Sequence, residues 1–141
     1  MTRCRVFAID EDLKEVVADG LYMKTFRGET VSVAVVKFVE KAGHELPAKA
    51  HSHGEEASLQ ISGSCSIFEA SDSHGAATDR ESVMNQGDAT IIPAGCSHYG
   101  VNRFEPAGVS LRLNVVTPPR EEYGQHNQTT PYYPLADRRR A

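Results

Sequence analysis

Tryptophan is absent from the chain, and cysteine occurs only three times in 141 residues. Cys4, Cys65 and Cys96 show no Cys-x-x-Cys spacing, which argues against both a disulfide framework and a thiolate zinc knuckle. They are expected to be free thiols. Positive charge is short as well: 15 Lys and Arg against 19 Asp and Glu leave a net charge of −4. That gives no basic footprint for nucleic acid, and the arginines near the end read as a solvated tail. No apolar run reaches the roughly 18 residues of a membrane helix. The start "MTRCRVFAIDEDLKE" lacks the apolar core of a signal segment, so the cytoplasm is the expected compartment. Helical spacing is scarce too, confined to "DEDLKEVVADG" (Asp10–Gly20).

Strand signals fill the remainder. "TVSVAVVKFVE" (Thr30–Glu40) is β-branched enough for a buried strand, ended by Gly43 and Pro47. "AKAHSH" and "EEASLQIS" read as two strands about a Gly54 turn, with Gly63 closing the second. "SCSIFEA" follows, then a polar loop, "SDSHGAATDRES". "VMN", "DATIIPA", "HYGVN" and "GVSLRLNVV" complete the set before the prolines of "TPPREEYG". Short strands at about ten-residue spacing, without an internal repeat, predict an antiparallel sandwich or small barrel. A chain of this length is expected to form one domain over 1–141, with a core at about 30–121 and an irregular tail at 122–141.

Chemistry concentrates in the histidines. His51 and His53 differ by two, so on a strand both side chains leave the same face, with Cα atoms about 6–7 Å apart. Such a pair can converge on one ion. Glu56 lies across the Gly54 turn as a third ligand, and His98, just past a Pro93–Gly95 turn, is a candidate fourth. Imidazole with carboxylate suits divalent metals from hard to intermediate.

These residues resemble the cupin superfamily. Its second motif is Gly, five residues, Pro-x-Gly, two residues, His, three residues, Asn; Gly87, Pro93, Gly95, His98 and Asn102 match every fixed position. Its first motif, Gly, five residues, His-x-His, three or four residues, Glu, six residues, Gly, is met by His51, His53, Glu56 and Gly63 with two departures. Seven residues separate Gly43 from His51, and two separate His53 from Glu56. Counting back from Gly63 selects Glu56, with Glu55 as the alternative carboxylate. The resemblance spans about Val31 to Glu121. It implies an all-β fold, a single antiparallel jelly-roll β-barrel, holding one divalent transition metal (Fe, Mn, Ni, Zn or Cu) on three histidines and a glutamate. It also implies a homodimer.

Strand parity then predicts the lining. Lys49 shares a face with His51 and His53; Ser58 and Gln60 share one with Glu56, while Ala57, Leu59 and Ile61 pack on the other side. Ser110, Arg112 and Asn114 form another polar face, opposite Leu111, Leu113 and Val115. The expectation is a polar cavity in which Glu56, Gln60, Arg112 and Lys49 serve catalysis. Lys49 and Arg112 are possible anion anchors, and Gln60 is an extra ligand or a hydrogen-bond donor. Tyr99 is expected to pack, Cys96 to be structural, and His44, His74 and His126 to be solvated. The functional expectation is a metal-dependent enzyme of the dioxygenase, isomerase or lyase type, acting on a small polar or anionic substrate. A non-catalytic metal-anchored binding module and a polyketide-cyclase-like protein with an apolar substrate are the alternatives.

Overall fold

The computed structural model describes residues 3–17, 20–39, 53–69, 80–103 and 108–119. Every regular element among them is a β-strand: β1 (Lys14–Val17), β2 (Leu21–Arg27), β3 (Ser32–Phe38), β4 (Glu55–Ser62), β5 (Ser64–Glu69), β6 (Arg80–Asn85), β7 (Ala89–Ile92), β8 (His98–Asn102) and β9 (Ser110–Thr117). They pair antiparallel into a six-stranded sheet, ordered β1-β2-β3-β9-β4-β7, and a three-stranded sheet, ordered β6-β5-β8. The chain changes sheet at Gly63 between β4 and β5, back between β6 and β7, and again on entering and leaving β8. This is an antiparallel jelly-roll β-barrel. Among the described residues no helix is long and apolar enough to cross a membrane.

Period-two burial shows what drives the strands together. On β2, Leu21, Met23 and Thr25 are buried; on β9, Ser110, Arg112, Asn114 and Val116 are buried while Leu111, Leu113 and Val115 are only partly so. Val35, Val36, Phe38, Val101 and Val116 supply apolar core, and Ile67, Met84 and Ile92 form a cluster against which Cys96 packs. The inner face of the large sheet carries a polar stripe. Register sets Val36 beside Arg112 and Arg112 beside Gln60, then Ala34 beside Asn114 and Asn114 beside Ser58. Apolar strands thus flank a band of groups that need hydrogen-bond partners.

Four expectations are corrected. The segment at 10–20 holds no described helix; its middle, Lys14–Val17, is β1, whose Lys14 and Glu15 pair with Met23 and Tyr22. Sheet pairing overrides a weak helical pattern there. The barrel also begins before residue 30, because β2 pairs along its whole length with β3. The loop expected at 71–82 gives way to strand at Arg80, whose register with Glu69 carries an exposed ion pair of 3.6 Å. On β4 the parity is as expected inward, but Ala57 and Leu59 on the other face are exposed and not packed. Of the strand expected at 48–53 only His53 is among the described residues, and it precedes β4 without belonging to a strand; the tail at 122–141 lies outside the described residues.

Candidate metal centre

Two turns bring the histidines to the glutamate. Pro93 and Gly95 form a tight turn in which Cys96 N–H donates to the Pro93 carbonyl at 3.1 Å, with Gly95 at φ +79°. The Gly95 N–H donates to the His53 carbonyl at 2.9 Å, which ties the segment before β4 to the segment before β8. The ligand atoms of His53, Glu56 and His98 consequently all lie within 4.8 Å of one another. The three side chains are almost wholly shielded from solvent. The imidazoles meet edge to face, with centroids 4.8 Å apart.

Both rings are oriented by main chain. His53 Nδ1 lies 2.8 Å from the Gly54 carbonyl and His98 Nδ1 lies 2.9 Å from the Cys96 carbonyl. A carbonyl only accepts, so each Nδ1 carries its proton and each Nε2 faces Glu56. Glu56 Oε2 is 3.8 Å from His53 Nε2 and 3.3 Å from His98 Nε2. Three acceptors crowded together repel unless a cation lies among them. That cation is either a proton on His98, which then donates to Glu56, or a divalent ion. Fixing the far ring nitrogen on a carbonyl is how metal-binding histidines are held. The residues present therefore fit a metal.

Burial by itself pushes the Glu56 carboxyl up. The hydrogen bond from His98 and the charges of Arg112, His98 and His53 outweigh it, and the group is held below the usual carboxylate range. Glu56 is therefore ionised at neutral pH. Glu55, its neighbour, is exposed on the opposite face of β4. His51 and Lys49 lie outside the described residues, as do His44, His74 and His126.

Gln60 and Arg112 are directly opposed on β4 and β9, both buried. Arg112 Nε donates to Asn114 Oδ1 at 3.1 Å, which also accepts from Ser58 Oγ at 3.0 Å. The guanidinium lies 5.4 Å from the centre of the Phe38 ring. Its proximity to Gly100 and Phe38 was invisible to strand parity alone, although His98-x-Gly100-x-Asn102 does aim Gly100 inward. Tyr99 stacks on Phe68 with centroids 5.1 Å apart, as packing predicts. None of the three cysteines is in a disulfide among the described residues; Cys65 is buried and Cys96 half-buried.

No protein-family model and no curated protein matches the chain. Solved structures do. KdgF from Halomonas sp. superposes with a TM-score of 0.62 at 20% identity, covering 87% of this chain and 100% of its own. An RmlC-like cupin from Shewanella frigidimarina gives 0.62 at 15% identity, covering 84% of this chain and 94% of its own. Hydroxypropylphosphonic acid epoxidase from S. wedmorenis gives 0.62 at 13% identity, over 80% of this chain and 59% of its own. The chain has the cupin fold.

Proposed function

We propose that this chain is a metal-dependent cupin enzyme acting on a small polar or anionic organic substrate, by dioxygenase, isomerase or lyase chemistry. The observation that carries the proposal is the convergence of two carbonyl-anchored imidazoles and one ionised carboxylate on a shared, water-poor point. His53, Glu56 and His98 would hold the ion, with His51 as the fourth ligand. A divalent ion bound there supplies Lewis acidity or dioxygen activation.

The chain's own residues supply the rest. Glu56 enters as a carboxylate because Arg112 and the histidines keep it ionised. Arg112 offers a buried guanidinium that fixes an acid group in one orientation, with Lys49 as a second anchor. Val36, Phe38 and Val116 wall the site with apolar surface that strengthens each polar contact inside. The buried polar groups Gln60, Arg112 and Asn114 favour polar substrates over the flat apolar substrate of a polyketide cyclase. The epoxidase with the same fold is named for a small acid, which agrees with this choice.

Metal analysis of purified protein tests the proposal. Wild type should carry about one ion per chain, and His51→Ala, His98→Ala and Glu56→Gln should each fall well below that. Full metal content in all three variants would reject the site.

A further inference from the structure

Two polar atoms inside the barrel are left over once the site above is assembled. Arg112 is 7% exposed; its Nε is committed to Asn114, yet its Nη1 is buried with no hydrogen-bond partner among the described residues. Gln60 is 0% exposed. Its amide nitrogen donates to the Ser62 carbonyl at 2.9 Å and approaches Cys65 Sγ at 3.5 Å, which identifies Oε1 as the remaining atom. Oε1 too is buried without a partner. Gln60 was expected to be a ligand or a donor to substrate; its amide hydrogens are used within the barrel, and what it has to offer is an acceptor.

A buried donor and a buried acceptor on directly opposed residues, not bonded to each other, call for a third party that accepts from one and donates to the other. A simple carboxylate satisfies only the arginine. A neutral alcohol can bridge the two, but a carboxylate gives the guanidinium the stronger, charge-assisted hydrogen bond. An acid with a hydroxyl on a nearby carbon meets both.

Gly100 makes this arrangement sterically feasible. A Cβ at that position would lie 3.0 Å from Arg112 Nη2, 3.4 Å from Nη1 and 3.5 Å from Phe38 Cζ. The missing side chain is thus the space into which the guanidinium fork extends. A Cβ on this inward-facing position of β8 would press on the tips of the fork and oblige them to give way by a few tenths of an ångström.

We propose that Arg112 and Gln60 form a subsite for a hydroxy acid. An acid oxygen accepts from Arg112 Nη1, the hydroxyl donates to Gln60 Oε1, and Gly100 determines specificity by leaving room for the fork. This deepens the functional proposal and rests on its assignment of the barrel interior as a substrate site.

The test measures binding, not turnover. Lactate, 2-methoxypropionate, propionate and lactamide are titrated by calorimetry into protein of known metal content, for wild type, Gln60→Met, Arg112→Met and Gly100→Ala. Lactate should bind wild type about tenfold more tightly than its methoxy, deoxy or amide counterparts, the size of one buried hydrogen bond or ion contact. Gln60→Met should erase the preference for the hydroxyl while leaving propionate affinity unchanged. Arg112→Met and Gly100→Ala should weaken every acid, and Gly100→Ala, which leaves the charge beside Glu56 in place, should do so without lowering metal content. If Gln60→Met does not fold, the wild-type series decides alone. Equal affinity for lactate, methoxypropionate and propionate overturns the subsite, and shows that water fills the gap between the two groups. Failure to bind any acid overturns it as well. Discrimination among the acids in protein that carries no metal would instead uphold the subsite and reject the metal proposal, so the two fail separately.

Discussion

Asn102 closes the second histidine motif, and its side chain works as a fastener between strands. Its Oδ1 accepts from Ser110 Oγ at 2.6 Å and its Nδ2 donates to the Gly108 carbonyl at 3.1 Å; Ser110 Oγ in turn accepts from Ser64 N–H at 3.1 Å. One buried hydroxyl thereby joins β8, β9 and the turn between the sheets. Ser110→Ala removes that group from wholly buried partners and should cost about 1–3 kcal/mol in urea denaturation. Metal content should not change, because no proposed ligand is touched; a loss of metal would show that the fastener and the site are one unit. The two glutamates at the start of β4 separate in the same way. Glu55→Gln, on the exposed face, should shift stability by no more than about 0.5 kcal/mol and retain the metal. Glu56→Gln should lose it. Equal metal loss from both would place the carboxylate ligand wrongly.

At the scale of elements, legibility followed locality. Strands β4, β5, β7, β8 and β9 were readable because alternation and the punctuating Gly63, Pro93 and Gly95 lie within each segment's own sequence. β2 was not readable, although Leu21, Met23 and Thr25 alternate, because that short pattern acquires meaning only when paired with β3. β1 was masked by acidic residues with helix-compatible spacing. Parity grouped Arg112 with Ser110 and Asn114 on one polar face, and the inward turn of Gln60 followed from parity once the count from Gly63 had chosen Glu56 over Glu55. The meeting of Arg112 with Gly100 did not, since it joins β9 to β8 across the barrel and no spacing within either strand encodes it. The small sheet has its own support: Ile67 on β5, Met84 on β6 and Ile92 on β7 pack together at 2–5% exposure. Ile67→Ala should cost about 2–5 kcal/mol, the usual range for a truncated core residue. A cost under 1 kcal/mol would mean that this cluster does not hold the sheets together.

For the molecule as a whole, a metal at this position would link both sheets, because Glu56 comes from the six-stranded sheet and His98 from the three-stranded one. An ion that binds only the folded form stabilises it by about 2.7 kcal/mol at a free concentration one hundred times its Kd. Chelation should therefore lower the melting temperature and added divalent ion should restore it, with no such response in His98→Ala. An equal response in that variant would place the stabilising ion elsewhere. The way the imidazoles are held has a consequence for inheritance. Their orienting partners are the carbonyls of Gly54 and Cys96, which every amino acid possesses. Where such a partner is an aspartate or asparagine, a single codon change can unseat the ring; here drift at residue 96 leaves the anchor in place. The thiol of Cys96 is therefore dispensable to the site, and Cys96→Ala should keep its full complement of metal, whereas Ser97→Pro, which redirects that carbonyl, should not.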